Sequence, residues 1–196
     1  MSRLNFLLNY AEPDRHYSQA DEVSKTLSVR GNAHYLYNKK LKPTPDVVDA
    51  IVDHISKPYE NAHHIAQSRM FVVDHLQPHH IDKLLDSENV VANRFGAEHA
   101  ISPENVDKAL AKGGNDIMSY ITNSPGITSE HLGRIIRSDK YDSRTKANVL
   151  NNPKISDADL EWASDVKNHG KEPLALSAKG AFNFRKEFNH TFKEQK

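Results

Sequence analysis

Histidine is the residue type in this chain with the most obvious capacity for chemistry. Seven of its 12 histidines, His54, His63, His64, His75, His79, His80 and His99, fall between positions 54 and 99. Two imidazoles four residues apart on one helix can bind a metal ion together, and His75 and His79 have that spacing. Pro78 stands between them at an expected helix start, which breaks the shared face. His63 and His64 are adjacent and would point in different directions on a helix, and no His-Glu-x-x-His phrase occurs. The expectation is therefore no metal centre and no cofactor, with histidines that are solvent-facing or half-buried.

Cysteine is absent, which removes thiolate catalysis, disulfides and cysteine-based zinc sites. No nucleophile elbow or dinucleotide fingerprint is present, and Gly113-Gly114 lacks the Lys-Ser/Thr that a phosphate-binding loop needs. The carboxylate pairs Asp49 with Asp53 and Asp82 with Asp86 are four residues apart, the spacing of a solvated helix face. A non-enzymatic protein is expected. With 26 basic and 26 acidic residues the chain is not a bulk polyanion binder, although a local basic stripe is compatible with that balance.

The elements that position these groups come from an internal repeat. Degenerate copies of one phrase, best seen in Ser102-Pro103-Glu104-Asn105-Val106-Asp107-Lys108-Ala109-Leu110, recur along the chain. Their apolar centres are Val23, Val48, Ile81, Val106, Leu132 and Leu160, spaced by 25, 33, 25, 26 and 28 residues. Periods of about 20 to 50 residues mark stacked supersecondary units. Each copy opens with a helix-starting group such as Thr44-Pro45, Gln77-Pro78, Ser102-Pro103, Thr128-Ser129 or Ser156-Asp157, of which Gln77 is the weakest. Apolar pairs at helical spacing follow, then a polar break, then a shorter apolar segment. The predicted fold is all-α: a right-handed α-solenoid of about six helical hairpins over residues 1–170, with a capping helix at 2–11. The long step contains Ser56 to Asn61, an inserted loop that includes Tyr59. A linker and an amphipathic helix are expected over 171–196, with Phe184, Phe188 and Phe192 in one stripe, as a cap on the last repeat or a docking helix for a partner groove or for self-association.

Two residues after the centre, successive copies carry Lys83, Lys108 and Arg134, a ladder that would run along one side of the stack. Neighbouring Asp82, Glu104 and Asp107 would blunt its field. Nucleic acid is thus the alternative partner, behind another protein. The expected contact residues are Lys83, Lys108, Arg134, Arg137, Tyr59, Phe184, Phe188 and Phe192. No segment approaches the roughly 18 apolar residues of a membrane span, so a cytoplasmic chain without a membrane partner is expected.

The Ser/Thr-Pro-Glu-x-apolar-Asp-Lys-Ala-Leu phrase, followed by the exits Asn123-Ser124-Pro125 and Asn151-Asn152-Pro153, resembles the leucine-rich-repeat-variant and HEAT-like α-solenoids. Similar arrays occur in bacterial and tailed-phage proteins. The likeness is strongest at 102–110, 122–132 and 148–160, looser from 18 to 100, and absent from the last 25 or so residues. It implies an extended binding surface, transfers no catalytic residue, and suggests a phage protein that binds a host factor or a virion component.

Overall fold

The computed structural model describes residues 19–30, 43–58, 60, 62–170 and 172–193, and every regular element among them is helical. The expected capping helix at 2–11 and Tyr59 lie outside the described residues. The helices are α1 (Gln19–Arg30), α2 (Pro45–Ile55), α3 (Ala62–Val72), α4 (Pro78–Asp86), α5 (Val90–Glu98), α6 (Pro103–Lys112), α7 (Asn115–Ile121), α8 (Ser129–Arg137), α9 (Ser143–Leu150), α10 (Asp157–Ser164) and α11 (Glu172–Lys193). Short 3-10 turns follow α3 and α10.

The predicted helix starts are the observed ones. Ser102, Thr128 and Ser156 each accept a hydrogen bond from the main-chain N–H three residues on, which satisfies a donor the helix leaves open. Thr44 makes no such side-chain bond, and Pro45 sets the first turn there. At the weak start, Gln77, help comes from inside the helix: the Gln77 N–H donates to His80 Nδ1 at 2.9 Å. Gly113 and Gly114 connect α6 to α7 with φ of 68° and 106°, a conformation that a Cβ would strain.

Contacts between helices skip one element at a time. Helix α2 packs on α4, α4 on α6, and α8 on α10; on the other side α3 packs on α5, α5 on α7, α7 on α9, and α9 on α11. Chain neighbours such as α4 and α5 also pack on each other, so the core lies between two rows of helices. Val23, Val48, Ile81, Val106, Leu132 and Leu160 are all buried in it. Four residues further on, Leu27, Val52, Leu85, Leu110 and Ile136 are buried as well, whereas the last copy has the half-buried Ser164.

Helix α11 begins at Glu172, where Pro173 is tolerated in a first turn and the preceding chain turns at Gly170, with φ of 66°. Its first turns set the phase. Leu174 and Ala178 are buried and Ala181 and Phe182 pack on the core, so Phe184 falls on the outer side and is 66% exposed. Phe188 and Phe192 fall within α11, and their side chains are outside the described residues. Arg185 donates from its two terminal nitrogens to Ile155 O and Asn152 O, tying α11 to the turn before α10. No described helix is long and apolar enough to cross a membrane.

Candidate interaction surface

Lys83, Lys108 and Arg134 each pair with an acid on the helix two elements earlier in the chain. Lys83 on α4 pairs with Asp53 on α2. Lys108 on α6 reaches Asp86 on α4 at 2.6 Å and Asp82 at 3.5 Å. Arg134 on α8 reaches Asp107 on α6 at 2.6 Å. Arg137 pairs with the buried Asp159 on α10 and lies 5.3 Å from the centroid of the Trp162 ring. The ladder is therefore one of ion pairs between units, not a row of uncompensated cations. At half-exposed positions such pairs contribute about 0–1 kcal/mol each, so their main effect is on register and on the field seen from outside.

A second ladder runs inside the first, through residues just before each apolar centre. His80 Nε2 lies 2.7 Å from Asp49 Oδ1, Asn105 Nδ2 donates to Asp82 Oδ1 at 3.0 Å, and His131 Nε2 is 3.4 Å from Asp107 Oδ1. His80, Asn105 and His131 are all buried, and the aspartates all stand one residue after the previous centre. Sequence reasoning missed this set because the donors differ in type while sharing a position. The periodic signal was an acid one and five residues after the centre, facing a polar donor and a cation in the next copy.

The main-chain geometry fixes the histidine tautomer. Gln77 N–H points at His80 Nδ1, and Thr128 N–H points at His131 Nδ1 at 3.1 Å, so both Nδ1 atoms accept and the proton is carried on Nε2, toward the aspartate. Asp49, His79 and His80 bring three ligand atoms within 4.8 Å of one another, the one such trio among the described residues. A cation bound through His80 Nε2 would force a proton onto Nδ1, where the Gln77 N–H already points. The recurrence of the same arrangement at Thr128, His131 and Asp107, with no second histidine, identifies it as a capping and stacking device.

Turns add a third set of ties. Ser87 Oγ donates to Ser56 O at 2.7 Å, and Asn89 Nδ2 donates to Lys57 O and Glu60 O, closing the inserted loop after α2. Asn152 Nδ2 donates to Thr122 O, and Lys154 Nζ to Pro125 O and Ile127 O at 2.9 Å each. The Asn-x-Pro exits are thus inter-unit clamps.

Two ladder acids and the acid that caps α9 are held in their ionised forms. The Lys108 ammonium holds the Asp86 carboxyl below its ordinary 3.8, the His80 hydrogen bond does the same for Asp49, and the Thr145 backbone N–H for Asp142. Their folded values lie under the unfolded ones, so in acid the unfolded chain binds more protons and is favoured. Stability from these groups is complete above the ordinary carboxylate range and is lost as pH falls through the lowered values. The share of the urea midpoint that these carboxylates carry is expected to hold down to about pH 5 and decline below pH 4, separate from an earlier loss through His99, whose burial lowers its imidazole pKa. Asp86→Asn is expected to flatten the acid limb, and an unchanged limb in that variant would remove the assignment. No protein-family model matches this chain, and no curated protein or solved structure matches it either.

Proposed function

We propose that this chain is a non-enzymatic helical-repeat module that binds another protein. About six hairpins, stacked as a right-handed solenoid, offer an elongated surface whose equivalent positions recur along one side. The observation that carries this reading is the pairing of Lys83, Lys108, Arg134 and Arg137 with carboxylates of neighbouring units. Internal neutralisation removes the uncompensated cations with which a solenoid would displace counterions from a nucleic acid. What it leaves is a surface of mixed charge with apolar outliers, including Leu176 at 63% exposure and Phe184 at 66% on α11, which suits protein contacts. The likeness to phage arrays makes a host factor or a virion component the proposed partner, met in the host cytoplasm, and α11 is a proposed second contact or self-association helix.

Affinity capture on the immobilised chain, with mass spectrometry of retained protein and a parallel nucleic-acid retention assay across salt, tests the reading. One stoichiometric protein, with no nucleic acid retained at low salt, is the expected result. Retention that falls steeply with salt would replace it by nucleic-acid binding.

A further inference from the structure

Resting on the protein-binding reading, we propose that the groove between α6 and α8 is a docking site for an acidic side chain, aspartate or glutamate with an apolar neighbour, presented by the partner protein. The step from α6 to α8 departs from the two steps before it in one residue. Five residues after the centre, α2 carries Asp53 and α4 carries Asp86, whereas α6 carries the exposed Ala111. The holder for the missing carboxylate is nevertheless present. At the step before, Asp86 is met by Lys108 Nζ at 2.6 Å and Lys112 Nζ at 3.6 Å, the residues two and six after the centre of α6. Their equivalents on α8 are Arg134 and Ser138, and both line, with Ala111, a groove of about 540 Å³.

Each holder keeps donor capacity. Arg134 turns aside to Asp107 through Nη1, which uses part of a guanidinium with five N–H donors. Ser138 Oγ accepts from the Lys140 N–H at 3.2 Å, and its hydroxyl proton is still there to donate. Lys140 places a second cation close by, with Nζ 3.5 Å from Leu110 O and 5.6 Å from the centroid of the Tyr141 ring. Among the lining residues Arg134 stands against Asp107, and beside them Lys140 is matched by Asp139, so the attraction for a carboxylate is the local one of the Arg134 guanidinium, with the His131 Nε2–H turned to Asp107. Leu110, Ile135 and Tyr141 are buried side chains that floor it, giving an apolar residue beside the carboxylate a surface to lie on. An added carboxylate would take the position that Asp53 and Asp86 hold at the two earlier steps.

The test is a titration of the full-length 15N-labelled chain with N-acetyl-leucyl-glutamate amide, followed by NMR at Arg134 Nε–H and at the Ser138 and Tyr141 amides. Saturable shifts with Kd on the order of 1 mM are expected, and the glutamine analogue should bind at least about tenfold more weakly. Ala111→Asp, which supplies the carboxylate internally, should abolish the shifts while melting at or above the parent temperature; Arg134→Gln should abolish them too. Absence of saturable shifts in the parent chain, or equal shifts in Ala111→Asp, overturns the proposal. If the titration fails while a stoichiometric partner is still captured, the groove is wrong and the protein-binding reading stands. If the titration succeeds and no protein is captured, the groove stands as a carboxylate site and the broader reading falls.

Discussion

Gly126→Ala is expected to lower stability by about 3 kcal/mol, a large loss for a single methyl group. Gly126 lies in the turn between α7 and α8, where the chain crosses the turn between α5 and α6. Its N–H donates to Ala100 O at 2.7 Å, and a Cβ at this position would lie 2.7 Å from Ile101 C, Ser102 N and Ser102 O. All three atoms are backbone, so no rotamer change relieves the overlap. The turns must separate, which strains the Ser102 cap of α6 and the burial of Ile127 that follows the crossing. For a chain of this size the loss corresponds to a melting temperature lower by roughly 6–12 °C. Gly180→Ala is the matched control, since a Cβ there meets nothing within 4 Å and lies inside α11. It should be neutral or stabilising by up to about 1 kcal/mol. A Gly126→Ala chain that melts with its parent would mean that the turns do not touch in solution.

The same crossing illustrates how much was legible beforehand. Helix starts and apolar centres could be read because caps and 3.6-residue periodicity are local properties, and six imperfect copies reinforce one another. Gly126 could be read only as a turn residue, since its need for space comes from a segment about 25 residues earlier in the chain, one repeat away. The carboxylates show the same division. Asp49, Asp53, Asp82 and Asp86 read as solvated face residues, and half of each side chain is indeed in water. Their partners lie one unit away, in positions held by His, Asn or Lys, and no single copy displays the pairing. Helix α11 makes the same point with Phe184. Phe184, Phe188 and Phe192 suggest a phase by their own spacing, but Leu174 and Ala178 reach the core first and rotate Phe184 outward. Burial against a neighbour decides the phase of a helix, and periodicity within it only proposes one.

The last step of the inner ladder permits the sharpest test of its logic, because there the acid has changed sides. The first three rungs put aspartate after one centre and a neutral polar donor before the next. At the fourth, the first position is Gly133 and the second is the buried Asp159. Asp159 accepts from Ser156 Oγ at 2.5 Å and pairs with Arg137. A Cβ on Gly133 would lie 2.8 and 2.9 Å from its two carboxylate oxygens. Gly133→Asp therefore sets two carboxylates against each other at a site with little water, and is expected to cost about 3 kcal/mol or more. Asp159→Asn alone should cost about 1 kcal/mol, because Arg137 is 45% exposed and water replaces its partner. Together they rebuild the Asp82–Asn105 rung two steps along, with Arg137 four residues from the new aspartate on the same helix. The double variant should then be more stable than Gly133→Asp by about 2 kcal/mol, a favourable coupling that urea unfolding of the four chains measures directly. Losses that simply add would show that the donor before each centre and the acid after the previous one do not recognise each other, and that register is set by the apolar residues alone.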